Sequence, residues 1–135
     1  MIYLASASPR RQELLRQLGI AFEAMPSNLL EVPRAGEHPE GYVLRVARDK
    51  AQHVARQVRE RGLAPRPVLG ADTEVVLEGE ILGKPRDVQQ GQAMLRKLAG
   101  CTHEVLTGLV LLHQDVEYKA INRSRVTFGP LTDTD

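Results

Sequence analysis

Two serines followed by two arginines near the amino terminus are the residues best suited to chemistry; residues 6–11 read SASPRR. Ser8 is a good helix N-cap and Pro9 suits the first helical position, so a helix is predicted to begin here. The positive end of a helix dipole disfavours cations by roughly 0.3–1 kcal/mol each. Arg10 and Arg11 at that place therefore indicate an anion such as phosphate, held by backbone N–H groups, hydroxyls and guanidinium groups. The alternative is a solvated basic turn.

Four further charged residues stand in unusual settings. Lys50 falls within the apolar stripe of a long predicted helix, where its side chain either extends to solvent or points into a polar cleft. Asp72 follows an apolar run, and a buried carboxylate there needs hydrogen bonds, a cation or a metal. The alternatives are that Asp72 caps the next turn and that Lys84 is an exposed loop lysine. Glu31 lies in a loop rich in proline, glycine and polar residues.

These cations and carboxylates together suit a polyphosphate substrate with a hard divalent metal. They do not choose between a transferase, a hydrolase and a binding protein. Other chemistries lack their signatures: the four histidines have no metal-ligand spacing, no His–Asp pair accompanies Ser6 or Ser8, and neither a Walker loop nor a dinucleotide glycine fingerprint occurs.

Strands that alternate with helices, followed by a late hairpin, predict an α/β fold with a mixed sheet. Leu14, Leu15 and Leu18 predict one apolar face on the first helix. Asp87 with Gln90 resembles a capping box. The predicted strands cover residues 2–4, 20–24, 68–71, 75–77, 80–82, 105–112 and 117–128, and the strand at 68–71 is expected to end at Asp72. The predicted helices begin at residues 9, 39 and 87.

The bulk composition describes one soluble domain over residues 1–135. A net charge of +1 gives no reason to expect binding to nucleic acid or to an acidic membrane. No apolar run approaches the roughly 20 residues of a membrane span, and the amino terminus does not resemble a signal peptide. The one cysteine, Cys101, fits a reducing compartment, so a cytoplasmic location is expected.

Five motifs in order resemble the Maf family of nucleoside triphosphate pyrophosphatases, which is linked to septum formation in bacteria. The matching segments are residues 6–11 (SASPRR), 45–51 (RVARDKA), 70–73 (GADT), 82–87 (LGKPRD) and 94–100 (MLRKLAG). The resemblance implies an α/β fold like that of the inosine triphosphatases, with a mixed twisted sheet and flanking helices around a deep cleft. It also implies hydrolysis of a nucleoside triphosphate to a monophosphate and pyrophosphate, dependence on Mg²⁺ or Mn²⁺, and a homodimer as one expected assembly.

The resemblance further assigns roles to the candidate residues. Asp72 matches the family's proton acceptor and, with Glu31, the expected metal site. Arg10 and Thr73 match positions that select the base. The remaining expected substrate-binding residues are Ser8, Arg11, Lys50 and Lys84.

The motif around Asp72 also predicts the substrate. Ala71-Asp72-Thr73 with Pro9-Arg10 resembles the branch that prefers dTTP and UTP, with modified pyrimidine triphosphates as further candidates. The branch that acts on 7-methyl-GTP has Ser-Asp-Gln and a tryptophan at these places. The family pattern continues through a Gly-Ala-Tyr-Gly-Ile-Gln-Gly-like motif that this sequence does not contain, so a C-terminally truncated member is expected. The alternatives are an inactive protein that binds nucleotide or a partner, and an inosine-type purine pyrophosphatase.

Overall fold

A six-stranded sheet and three helices form the protein in a computed structural model that describes residues 1–27, 29–83, 87–127 and 129. Along the chain the elements are β1 (Ile2–Ala5), α1 (Pro9–Gln17), β2 (Phe22–Ala24), α2 (Pro39–Glu60), β3 (Val68–Leu77), β4 (Glu80–Leu82), α3 (Val88–Leu98), β5 (Thr102–His113) and β6 (Val116–Thr127).

The sheet is mixed, as the sequence predicts. Its strand order is β2-β1-β3-β5-β6, with β4 paired to β3 outside this path. The strand β1 runs parallel to β2 and β3, whereas β5 runs antiparallel to both of its neighbours, β3 and β6. Parallel neighbours require crossovers, and α1 and α2 provide them. The α/β class with flanking helices is therefore confirmed.

The longest helix, α2, covers one face of this sheet because its apolar residues form a continuous stripe. The period of 3.6 residues predicts all of its buried positions except Tyr42. These positions are Tyr42, Val43, Val46, Ala47, Ala51, Val54 and Val58. The sheet residues Tyr3, Val68 and Val110 pack against the second half of this stripe, from Ala47 to Val58. Val76 and Leu106 pack against its first half, from Tyr42 to Val46, in a second cluster.

Two glycines allow the backbone of α2 to approach the sheet closely. A Cβ atom at Gly70 would clash with the carbonyl oxygen of Ala47 and would lie 2.9 Å from the nitrogen of Ala51. A Cβ atom at Gly108 would lie 2.7 Å from the carbonyl carbon of Val43. Glycine in a strand often marks such an approach, and here it places α2 directly over β3 and β5.

The predicted end of a strand at Asp72 is wrong, because β3 continues through it to Leu77. The backbone stays extended because β5 pairs with β3 throughout, with Asp72 opposite Gly108. On its other side β3 pairs with β1 only up to Gly70, and with β4 only from Val75. On that side, residues 72–74 therefore lie beyond the end of β1 and before the start of β4. Their polar side chains consequently resemble the end of a strand in the sequence.

The helix ends follow the sequence closely, whereas the predicted apolar faces do so only in part. Ser8 caps α1, and the carboxylate of Asp87 caps α3 by accepting a hydrogen bond from the Gln90 N–H at 2.8 Å. In α1 only Leu15 is buried, while Leu14 and Leu18 are 54% and 64% exposed. Within the described ranges, no helix combines the length and hydrophobicity that crossing a membrane requires.

Candidate functional site

The start of α1 is built by hydrogen bonds between neighbouring residues. The Ser8 hydroxyl accepts from the backbone N–H of Arg11 at 3.4 Å, which confirms Ser8 as the N-cap. The Ser8 N–H in turn donates to the hydroxyl of Ser6 at 3.0 Å. The side chain of Arg10 is exposed, whereas that of Arg11 is partly buried. The two adjacent arginines therefore face different environments, and only Arg11 points back into the fold.

Arg11 connects the first turn of α1 to the sheet. Its Nη2 donates to the Thr73 hydroxyl at 2.7 Å, and its Nη1 donates to the Ser6 hydroxyl at 3.3 Å. Burial of the guanidinium group lowers the pKa of Arg11, and the nearby negative charge of Asp72 opposes that shift. Thr73 also shares a hydrogen bond of 3.0 Å with the hydroxyl of Thr107 on β5.

Lys50 and Asp72 form an ion pair between α2 and β3. The Nζ atom of Lys50 lies 3.5 Å from Oδ1 of Asp72 and donates to the carbonyl oxygen of Ala71 at 3.3 Å. The side chains of Lys50 and Asp72 are 18% and 6% exposed. Lys50 therefore points inward to a polar site instead of extending to solvent, and Asp72 lies inside a strand instead of capping a turn.

The two oxygens of the buried Asp72 carboxylate differ in their contacts. Among the described residues, Oδ2 of Asp72 has no hydrogen-bond partner. Leaving a buried charged acceptor without a partner is costly, so this atom is suited to receive a proton, a water molecule or a cation. Of the described histidine, cysteine, aspartate and glutamate side chains, no three are grouped to hold a metal by themselves. Mg²⁺ is commonly held by only one or two carboxylates together with substrate phosphates, so Asp72 fits such an ion.

Glu31 is held by Arg45 of α2. The Arg45 Nη1 donates to the Glu31 carboxylate at 3.0 Å, and its Nε and Nη2 donate to the two oxygens of Glu37 at 2.8 and 2.9 Å. The same Nη2 also donates to the carbonyl oxygen of Val32 at 3.0 Å. The sequence predicts Arg45 on the outer side of α2, but its side chain is only 13% exposed. The loop that precedes α2 therefore folds around this arginine.

The same loop makes a second contact with α2. The Tyr42 hydroxyl donates to the carbonyl oxygen of Glu31 at 3.2 Å, and the Arg45 guanidinium lies 5.4 Å from the centre of the Tyr42 ring. Burial raises the pKa of Tyr42 to about 12, with the negative charges of Glu74 and Asp72 adding to the shift. Burial also raises the pKa of Asp49, and a hydrogen bond with Glu31 adds to that effect. These shifts indicate a concentration of negative charge on this side of the site.

The Glu37–Arg45 pair predicts a stability that depends on pH. The hydrogen bonds from Arg45 and from the backbone of Arg34 lower the pKa of Glu37 from its ordinary 4.5 to about 2. A lowered carboxyl pKa adds stability that is present above the ordinary value and is lost as the pH falls through the lowered one. We therefore expect the Glu37→Gln variant to melt below the wild type at neutral pH, and the difference to shrink between pH 4.5 and about 2. Melting curves of both proteins over this range test this. A difference that does not change with pH would contradict it.

The structure thus brings together one group of the candidate residues at the end of β1. This group contains Ser8, Arg11, Lys50, Asp72 and Thr73. Arg10 lies at its exposed side, Glu31 lies in the loop held by α2, and Lys84 is outside the described residues.

Two residues that build this site are not among the sequence candidates: Arg45 and Thr107. Ser6 belongs to the pair of serines that the sequence indicates for phosphate binding. The position of Arg45 depends on a loop without secondary structure, and that of Thr107 depends on the register of β5.

Two cavities occur elsewhere in the described part of the chain. One of about 580 Å³ is lined mainly by the β3–β4 turn and the ends of β5 and β6, including His103, Glu104 and Arg125. The other, of about 470 Å³, lies between the second half of α2 and the β5–β6 turn. Neither is lined by Asp72, Lys50 or Arg11. The deep cleft around the candidate residues, which the family resemblance implies, therefore stays a prediction.

Comparisons with known proteins agree with the motif pattern. A family model described as Maf-like protein matches residues 1–135. A protein of Ralstonia nicotianae named dTTP/UTP pyrophosphatase is 47% identical over 141 residues, which cover 99% of this chain and 68% of that protein. A protein of the same name from Bordetella avium is 47% identical over 135 residues, and the match covers 97% of this chain and 67% of that protein. Among solved structures, the Ham1 protein of Staphylococcus aureus superposes with a TM-score of 0.55, and the match covers 93% of this chain and 69% of the Ham1 chain. At 15% identity this likeness supports the fold alone.

Proposed function

The chain belongs to the Maf family, and from this premise we propose that it hydrolyses a nucleoside triphosphate between the α and β phosphates. The products are a nucleoside monophosphate and pyrophosphate. Relatives of 46–47% identity carry the name dTTP/UTP pyrophosphatase, which supports this reaction. The observation that carries the proposal is the buried Asp72, whose Oδ1 pairs with Lys50 while its Oδ2 lacks a hydrogen-bond partner among the described residues.

The cations of the site would bind the triphosphate. The guanidinium group of Arg11 at the start of α1 is suited to phosphate oxygens, because charged donors form short, strong bonds with them. Arg10 at the exposed side and Lys50 at the buried side extend this positive surface. Lys84 is proposed as a further phosphate ligand. Together these charges stabilise the pyrophosphate as it leaves, since donors fixed before the reaction need no rearrangement during it.

Asp72 would act on the attacking water. The oxygen of water bonds to the α phosphorus, the bond from that phosphorus to the bridging oxygen breaks, and pyrophosphate leaves with the bond's electron pair. The water's proton passes to the carboxylate. We assign the proton to Oδ2 of Asp72, the atom without a partner among the described residues. The Lys50 ion pair holds the other oxygen, Oδ1, at 3.5 Å and so fixes the direction in which Oδ2 points.

A divalent cation fits this arrangement. We propose Asp72 and Glu31 as its protein ligands, with Mg²⁺ or Mn²⁺ as the ion. When bound, the ion would neutralise phosphate charge, which lowers the barrier to attack by water. One oxygen of Glu31 accepts a hydrogen bond from Arg45, so this residue would approach the ion through its remaining lone pairs.

The proposed substrates are dTTP and UTP, with modified pyrimidine triphosphates as additional candidates. Arg10 and Thr73 are proposed to select the base. Thr73 is partly exposed on the sheet face opposite α2, so a ligand can reach its hydroxyl. We further propose a cytoplasmic role in clearing such nucleotides, a link to septum formation and a homodimeric assembly, all of which follow from the family resemblance.

Lys50 provides one test of the phosphate-binding surface. We expect Lys50→Ala to lower kcat/KM for dTTP roughly 10- to 100-fold, because a charge-assisted bond and the anchor of Asp72 are both lost. The fold should persist, but the melting temperature should fall, because Asp72 is then buried without its ion-pair partner. Lys97→Ala, at an exposed position in the last turn of α3, is the matched control and should behave as the wild type. A variant at Lys50 that unfolds would show instead that this residue is structural.

A panel of nucleotides tests the function as a whole. The chain is incubated with dTTP, UTP, CTP, 7-methyl-GTP and inosine triphosphate, each with Mg²⁺ or Mn²⁺, and pyrophosphate release is measured. We expect release from dTTP and UTP above the others. Binding of these nucleotides without release would favour a nucleotide-binding protein, and preference for inosine triphosphate would favour a purine pyrophosphatase.

A further inference from the structure

We propose that Thr107 is a positioning residue that fixes the Thr73 hydroxyl and, through it, the guanidinium group of Arg11. Thr73 on β3 and Thr107 on β5 are register partners, and their hydroxyl oxygens lie 3.0 Å apart. Both lie on the sheet face opposite α2, since the alternate residues Gly70 and Gly108 face that helix. This inference rests on the proposed function, which supplies the nucleotide that Thr73 and Arg11 would contact.

The threonine pair restrains an otherwise flexible arginine. A guanidinium group on a long, flexible side chain loses rotamer entropy when it is fixed, so it keeps one position only where hydrogen bonds hold it. Arg11 is fixed by two hydroxyls, that of Ser6 at the end of β1 and that of Thr73 on β3. The O–H bond of Thr73 can itself rotate about the Cβ–Oγ1 bond unless another group holds it. Thr107 is the described group that shares a hydrogen bond with it from the neighbouring strand.

The pair also determines what Thr73 offers to a ligand. A hydroxyl has one proton and two lone pairs, and the Arg11 N–H occupies one lone pair of Thr73. That charged donor polarises the Thr73 O–H bond, so Thr73 is the better donor within the threonine pair. Its proton then points to Thr107, and one lone pair remains for the ligand. An acceptor at this place suits the ring N3–H of uracil and thymine, whereas cytosine carries no proton on N3.

Two substitutions at Thr107 separate this role from packing. Thr107→Val keeps the shape and removes the hydroxyl, and Thr107→Ser keeps the hydroxyl. We expect the valine variant to lower the ratio of kcat/KM for UTP over CTP about 2- to 10-fold, mainly through KM, and the serine variant to restore it. Thr102→Val is the matched control, because Thr102 makes the same kind of cross-strand bond with Thr127, at 2.7 Å, at an exposed end of β5. It should leave the ratio unchanged.

A second readout does not depend on activity. In ¹⁵N NMR spectra, the guanidinium N–H signals of Arg11, assigned with Arg11→Lys, should be resolved in the wild type and in Thr107→Ser and broadened in Thr107→Val. Wild-type protein that hydrolyses no nucleotide while the Arg11 signals respond in this way would overturn the proposed function but support the positioning role. Unchanged Arg11 signals in Thr107→Val, or an unchanged UTP/CTP ratio in an active enzyme, would overturn the inference.

Discussion

Asp72→Asn is expected to lower the turnover of dTTP by a factor of about 10² to 10⁴, the usual contribution of a positioned general base. Asparagine has nearly the same shape and cannot take the proton of the attacking water. Its amide oxygen can still accept from Lys50, which lies 3.5 Å from Oδ1 in the wild type. The melting temperature should therefore change little. KM for the nucleotide should not rise, because the substitution removes a negative charge from the vicinity of the phosphates.

The control for this substitution is Asp87→Asn. Asp87 caps α3 through a hydrogen bond from the N–H of Gln90, and asparagine caps helices about as well as aspartate. The control variant should keep wild-type activity and stability. Turnover close to the wild type in Asp72→Asn, measured as pyrophosphate release with saturating Mg²⁺ and dTTP, would show that Asp72 is not the proton acceptor.

Gly70→Ala is expected to have the largest effect on folding. The new methyl group would clash with the carbonyl oxygen of Ala47 and lie 2.9 Å from the nitrogen of Ala51, both backbone atoms of α2. No side-chain rotation relieves contacts with backbone, so the helix must move away from the sheet. We expect the free energy of unfolding to fall by about 3 kcal/mol, the upper part of the range for overpacked cores. Activity should fall as well, because the movement separates Lys50 on α2 from Asp72 on β3.

Gly41 provides the matched control for this substitution. It lies in α2, and a Cβ atom there would meet no atom of the described residues within 4 Å beyond its own turn of the helix. Gly41→Ala should therefore raise stability by about 0.5 kcal/mol through helix propensity alone. Urea unfolding of both variants measures the two effects. A Gly70→Ala protein as stable as the wild type would contradict the close packing of α2 on β3.

The parts of the fold that local physics determines could be predicted from the sequence. The N-caps at Ser8 and Asp87 and the buried stripe of α2 depend on residues close together in the chain, and all are confirmed. The faces of α1 and α3 depend on what packs against them, so the apolar side chains of Leu14 and Leu95 are 54% and 48% exposed. The length of β3 likewise depends on its pairing with β5, a contact between distant segments.

The residues of the candidate site differ in the same respect, since some could be predicted from the local sequence and others could not. Lys50 and Asp72 could be singled out because each carries a charge where the local pattern is apolar. That pattern does not choose the inward-facing Lys50 over a solvent-exposed one, or the buried Asp72 over a turn cap, whereas the structure does. The buried position of Arg45 could not be predicted, because the carboxylates that pair with it, those of Glu31 and Glu37, come from a loop whose path no periodicity describes. Thr107 could not either, because a threonine in a strand is ordinary until its register partner is known.

Cleavage of the α–β phosphoanhydride bond can be followed by ³¹P NMR of the chain with dTTP and Mg²⁺. We expect dTMP and pyrophosphate to appear in equal amounts, and neither to appear at a comparable rate with Asp72→Asn. Formation of dTDP and orthophosphate, or intact dTTP after prolonged incubation with folded wild-type protein, would contradict it.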